Sequence, residues 1–297
     1  MSVSLEWAAV GPGEVIVADE RRAWVHQTSE LNFGDPFAEP MHGPGSEATT
    51  GKLLEGAIGL GLRAARAKAT GAPPPLTLER WAWRLCGLYH LTTHTPALLS
   101  EAEARFRAAG RAELADWAEA KRIDERDHDR LALLDLEAMG YDAEATVARL
   151  RPPVALAMVA WFETAARAPL PLGVIAYAHT VERLALRFGQ PYLDRVAALK
   201  PGVRITRCLK IHSGVGSDVR HVAENIALVA RLPAAERARI VVACRQIAQL
   251  SSTPPREGYR SQSWLEDELV RVRRVDGPAH PPMGRGRSER NDHGVEE

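Results

Sequence analysis

From Leu76 to about Leu250, apolar residues recur at three- and four-residue intervals within long Ala/Leu/Arg/Glu-rich segments. That is the period of amphipathic α-helices. The spacing predicts helices over 77–94, 97–109, 112–139, 153–167, 171–188, 191–199, 204–212, 217–231 and 234–250. The predicted ends fall at Pro96, Gly110, Gly140, the Pro152–Pro153 pair, Pro171, Pro191, Pro201–Gly202 and Pro233. At these positions a missing N–H or a permissive backbone stops a helix. This region has no alternating β-branched run, so the expected class is all-α. Residues 1–75 are punctuated by Gly and Pro, as in "NFGDPFAEPMHGPGSEATTG". They read as an irregular N-terminal extension with one helix, Lys52 to Lys68. Residues 251–297 read as a mostly disordered, mobile tail with one short helix around Trp264 to Arg274. The organisation expected is therefore 1–75 extension, 76–250 helical bundle and 251–297 tail.

Composition narrows the partners. A chain of 297 residues, 45% hydrophobic, can bury a substantial core. Lys plus Arg equals Asp plus Glu at 38 each, so no positive field gathers polyanions, and no nucleic acid partner is expected. The longest apolar run, "VALAMVAWF" from Val154 to Phe162, falls far short of the roughly 20 residues that cross a bilayer. No membrane partner follows. The first residues lack a basic start followed by an apolar stretch, so no secretory signal is expected. Cys86, Cys208 and Cys244 are an odd number with no C-x-x-C. That argues against a disulfide framework or Cys-based zinc and favours a cytoplasmic location.

Candidate chemistry lies on inward-facing helical stripes. Glu125 and His128 are an acid-x-x-His pair whose stripe continues through Ala132, Asp135 and Met139. With 38 acids and 10 histidines, about one such pair is expected by chance. A second pair, Asp218 and His221, continues inward through Asn225 and Leu228. Two such pairs, completed by single carboxylates from other helices, are the arrangement that dimetal bundles use. Glu182 is the candidate for that carboxylate: it continues the stripe of Ile175, Ala178 and Leu186, where metal coordination would make its burial favourable, the alternative being a partly exposed Glu paired with Arg183 or Arg187. Glu163 is a weaker candidate of the same kind. His90 and His94 have the i, i+4 spacing that suits a metal or haem, but in a Trp- and Leu-rich helix they read as satisfied or partly exposed histidines. Gly214-x-Gly216 follows no strand, so it reads as a hinge rather than a phosphate cradle.

These residues resemble the haem-oxygenase-like diiron oxidases and oxygenases, a family related in fold to the PQQ-synthesis oxidase and thiaminase branches. The resemblance runs from about Leu76 to Leu232 and is most specific in "DERDHDRLALLDLEAMGY". The spacings from His128 to Glu182 and from Glu182 to His212, and the closing His…Asp-x-x-His, are also similar. The resemblance implies a haem-oxygenase-like helical bundle with Glu125, His128, Glu182, His212, Asp218 and His221 as iron ligands. Asp135 would orient a ligand imidazole. The family usually closes with H-x-x-x-D-x-x-H, whereas five residues, Ser213 to Ser217, separate His212 from Asp218 here. Six positions rotate a helix by about 600°, or 240° net, so "SGVGS" must turn the chain, and Ser217 could cap the next helix.

What the resemblance implies is an oxidoreductase that binds two Fe2+ per chain and uses dioxygen as co-substrate. Its substrate would be a small molecule, amino-acid- or fatty-acid-like, oxidised by N-oxygenation, desaturation or oxidative C–C cleavage. Trp161, Phe162, Tyr177 and His179 are candidate pocket residues, and Arg204, Arg207, Lys210 and Arg220 are candidate cations for a substrate carboxylate. An electron donor and a homodimer are admissible partners. The rival readings are a cofactorless oxidase on the same fold and a non-catalytic helical binding module. A thiaminase-like enzyme fits less well for want of a placed cysteine. Haem held by His90 or His94 would leave both acid-x-x-His pairs unexplained.

Overall fold

A computed structural model describes residues 4–28, 34–69, 72–213, 218–252 and 259–274, with the side chain of Asp218 outside that set. Helices dominate. The N-terminal extension, expected to be irregular, instead forms an antiparallel sheet of β1 (Glu6–Gly11), β2 (Glu14–Ala18) and β3 (Ala23–Gln27), in that order. The β1–β2 register aligns Ala8 with Ile16 and shifts by one residue near Gly11, where Gly13 takes a left-handed φ of 67°. Val15, Ile16, Val17 and Ala18 are all buried. A strand covered on both faces carries no alternation, which is why periodicity missed it.

Helix α1 (Glu47–Lys68) starts earlier than expected, capped by Ser46, whose Oγ accepts the Thr49 N–H. It packs along α11 (Ala234–Ser252), closest at Gly61, where any Cβ would collide with the Arg245 carbonyl. Helix α2 (Leu78–Ala108) runs unbroken through Pro96, correcting the two helices expected there. The Thr92 and Thr95 hydroxyls donate to the Leu88 and Leu91 carbonyls one turn back, tying side chains into the helix around the proline. By rise per residue α2 is about 46 Å long.

That length lets α2 serve two cores. Its first half joins Trp81, Leu85 and Cys86 to Leu136 and Met139 of α4 (His128–Met139), Val147 of α5 (Ala143–Arg149), Val196 of α8 (Gln190–Ala197), Leu209 of α9 (Arg207–Ile211) and Leu269 of α12 (Gln262–Val270). Its second half joins Leu98, Leu99 and Phe106 to α1, α11, α3 (Ala112–Asp124), α6 (Pro153–Ala166), α7 (Leu172–Ala185), α10 (Asp218–Ala230) and the sheet. The helix expected over 112–139 is two helices, broken at Glu125–Asp127. Asp127 has φ 64°, the one positive value at a non-glycine among the described residues. Aspartate tolerates that region better than most residues, and such outliers gather at functional sites.

Helix α5 was not expected from periodicity, being only 7 residues long. Helix α12 corresponds to the short helix expected near Trp264; residues 253–258 and 275–297 of the expected tail lie outside the described residues. No described helix is long and apolar enough to cross a membrane.

Candidate metal centre

The candidate centre sits at the seam of the two cores, where the α3–α4 break, the second half of α7, the end of α9 and the start of α10 meet. Glu125 is the residue that ends α3, and His128 is the first of α4. Breaking the helix between them still leaves the pair in contact: His128 Nδ1 lies 3.1 Å from Glu125 Oε2. His212 ends α9 and packs its ring edge-on against His128, with centroids 4.8 Å apart. One ligand atom from each of Glu125, His128 and His212 falls within 4.8 Å of the other two. Among the described residues no other such triple of His, Cys, Asp or Glu occurs.

The electrostatics of this triple follow from burial and neighbours. Burial pushes the Glu125 carboxyl up, but the His128 hydrogen bond and the nearby His212, His128 and Lys121 prevail and hold it below its ordinary value. Burial pushes the His212 imidazole below its ordinary value, opposed by Glu125 and Glu182. His212 Nε2 is buried with no hydrogen-bond partner. An orphaned buried nitrogen is costly unless a ligand satisfies it. Two imidazoles and one carboxylate held below its ordinary value are a donor set that fits a divalent transition metal.

Glu182 and His221 lie next to this triple. Glu182 is 5% exposed on α7, and its Oε1 accepts from Lys121 Nζ at 2.6 Å while Oε2 accepts from Asn225 Nδ2 at 2.7 Å. Asn225 is fixed in turn, because its Oδ1 accepts the Trp117 indole N–H at 2.9 Å. His221 Nδ1 is 3.6 Å from Glu182 Oε1, and its Nε2 is 3.3 Å from Asp124 Oδ2. His212 lies within electrostatic reach of both Glu182 and His221, so the Glu182–His221 pair neighbours the three-residue cluster without joining it. The sixth, Asp218, has its side chain outside the described residues, as do the whole residues Gly214–Ser217 of the expected hinge. His212 and Asp218 belong to different helices, since α9 ends at Ile211 and α10 begins at Asp218.

Asp135 is fully buried, but its hydrogen bonds run to the Cys208 N–H at 3.1 Å and to Arg207 at 3.0 Å, not to an imidazole. Burial raises its carboxyl above the ordinary value, with Cys208 and Arg207 pulling the other way. It pins the start of α9 to α4, and so positions His212 through the helix rather than by touching it. Arg207 is thereby committed, while Arg204, Lys210 and Arg220 stay at the surface. His90 is satisfied by the Val147 and Leu150 carbonyls at 3.0 and 3.2 Å, and His94 is exposed, as expected of core and surface histidines. Glu163 faces Arg167 at 3.6 Å, away from the centre's ligands. All three cysteines are free and buried, and burial pushes each thiol up, Cys244 to about 12. None is poised as a nucleophile.

Of the expected pocket residues, Tyr177 stacks on Phe162 (centroids 4.2 Å) and lies nearly parallel to Trp161 (6.4 Å), and the Glu125 charge reaches its phenol. Trp161 continues to a surface groove with Leu172, Gly173, Arg239 and Gln246. His179 is fully buried with neither ring nitrogen hydrogen-bonded, and burial pushes it down to about 4. An unfolded histidine titrates near 6.5, so the folded state binds fewer protons, and stability present above pH 6.5 is lost as pH falls toward 4. Relative to a His179→Leu variant, the wild type should lose about 2 kcal/mol between pH 7 and 4.5. Urea unfolding at the two pH values reads this difference; parallel losses in both proteins would show that His179 is not the group responsible.

Lys121 is the residue that periodicity did not single out. It is 4% exposed, one turn before Glu125 on the stripe of Leu114 and Ala118. A lysine on an apolar stripe beside a candidate ligand was a readable signal, because lysine is almost never fully buried unless paired.

No family model matches the chain, and no curated protein matches its sequence. Among solved structures it is similar to a domain of unknown function with a haem oxygenase-like fold from Shewanella denitrificans, at 16% identity and a TM-score of 0.50, covering 75% of this chain and 89% of that one. It is also similar to a TenA homologue from Pseudomonas syringae pv. tomato, at 12% identity and a TM-score of 0.49, covering 73% of this chain and 97% of that one. The first likeness, with the helical architecture described above, shows the fold: this is a haem-oxygenase-like helical bundle carrying a small N-terminal sheet.

Proposed function

We propose that the chain is a non-haem iron oxidase or oxygenase that uses dioxygen to oxidise a small organic substrate. The observation that supports this most is the clustering of Glu125, His128 and His212, with the buried His212 Nε2 left without a partner. Two histidines and one carboxylate are the donor set of non-haem ferrous oxygenases, and it lacks the thiolates that structural zinc favours. Iron held there would supply the electrons that dioxygen activation requires.

The chain's own residues supply the setting. Glu125 and His128 keep 15% and 16% of their side chains exposed, which leaves a path for small molecules to the centre. The stacked Phe162, Tyr177 and Trp161 form an apolar wall that keeps water from the side facing α6 and α7. Asp135 holds α9, and with it His212, in place. Glu182, His221 and Asp218 are the donors that a second ion would need. The family resemblance extends the reading to an amino-acid- or fatty-acid-like substrate and to N-oxygenation, desaturation or oxidative C–C cleavage.

Anaerobic titration with ferrous iron, followed by oxygen in an electrode cell, tests the reading. Iron binding and iron-dependent oxygen uptake are expected. A chain that binds no ferrous ion, or takes up oxygen equally without it, overturns the proposal in favour of the cofactorless or binding-module alternatives.

A further inference from the structure

Glu182, the carboxylate expected to complete a second site, is already engaged by the protein through both of its oxygens, while His221 Nδ1 beside it is buried without a hydrogen-bond partner. Lys121 Nζ sits 2.6 Å from Glu182 Oε1, with the two side chains only 5% and 7% exposed. The other Glu182 oxygen is taken by Asn225, which is locked by Trp117. Lys121 also lies close enough for its charge to bear on Glu125, one turn along α3. The ammonium is thus poised between the carboxylate of the three-residue site and the carboxylate expected to complete a second site. A divalent ion entering there would have to displace the ammonium from Glu182 while leaving it buried beside a dication, where like charges are poorly screened. His221, between Glu182 and Asp124, faces two carboxylates without completing a triple with any described residue.

We propose that Lys121 fills the second metal position as a built-in cation, so that the chain holds one divalent ion, at Glu125, His128 and His212. The inference rests on the iron-enzyme reading for that first ion and departs from the two-ion count of the resembling family. It also explains how a carboxylate as deeply buried as Glu182 is tolerated: its charge is matched within the protein. A lysine, unlike a metal, carries N–H donors, so the second position offers hydrogen bonds where a second ion would offer open coordination.

The test is ion stoichiometry, read by anaerobic calorimetry with ferrous iron and by elemental analysis after desalting. Wild type should bind one ion per chain. Glu182→Gln should still bind one, with affinity within about threefold of wild type, since a ligand would cost far more. Lys121→Met should bind two. Two ions on the wild-type chain, or a Glu182→Gln variant that drops by one ion, overturns the inference while leaving the iron-enzyme reading intact. No ion on the wild type overturns both. Lys121→Met exposes Glu182 to an uncompensated charge, so its fold is checked by circular dichroism; if it fails to fold, the wild-type and Glu182→Gln counts decide the matter alone. A folded Lys121→Met variant that binds one ion overturns the inference.

Discussion

Replacing Arg237 with alanine should lower the free energy of unfolding by about 3–5 kcal/mol, the cost of removing one partner from a buried ion pair. Arg237 and Glu6 are each 1% exposed, with Nε 3.4 Å from Oε2. Arg237 also donates to the Leu232 carbonyl at 2.7 Å and the Gly43 carbonyl at 3.2 Å. Glu6, on β1, accepts from the Ser46 N–H at 3.0 Å and the Thr50 hydroxyl at 2.9 Å. One buried network therefore joins the sheet, the start of α1 and α11. Removing the guanidinium strands the Glu6 carboxylate in a dry environment and frees two backbone carbonyls. For a chain of this size each kcal/mol moves Tm by roughly 2–4 °C, so a fall of about 10 °C is expected in a thermal melt. Arg111→Ala provides the contrast. It faces Glu236 with 28% and 15% of the two side chains exposed, and partial solvation leaves such a pair worth about 1 kcal/mol or less. If the two variants melt together, the network does not hold the sheet to the bundle.

Replacing His212 with alanine should weaken ferrous binding by more than about 100-fold, because even residues that only orient a ligand change affinity by 10–100-fold. His212 supplies the orphaned nitrogen of the candidate site and touches Glu125 and His128 from a different helix. The measurement is the thermal shift on adding iron: an ion at about 100 times its Kd stabilises the native state by about 2.7 kcal/mol, and the variant should lose that gain. His94→Ala, at an exposed position on α2, should keep it. An unchanged iron-induced shift in His212→Ala would remove His212 from the site. Asp135→Asn should give a milder loss, since it loosens α9 rather than deleting a donor.

The sequence showed most of the helices because burial of one face imposes a period, and a period is a local property. It failed where tertiary contacts overrode local signals. Pro96 should end a helix, yet α2 continues across it, packed against both cores. Nothing between Lys121 and His128 is Gly or Pro, yet the helix breaks there at the exposed, left-handed Asp127. The strand "EVIVA" is short and buried on both faces, so it carried no alternation to detect.

The sequence by itself determined that this is a helical chain, that Glu182 and His221 lie on inward stripes, and that His212 and Asp218 cannot share one face of a regular helix. It could do so because each statement depends only on residue type and helical rotation. Only the tertiary structure decided which donors share a site. His212 joins Glu125 and His128 because α9 is pinned to α4 by Asp135. Glu182 is matched to Lys121 because α3 and α7 bring their buried side chains together. Such pairings depend on how helices cross, and no period along one helix specifies what the next one presents.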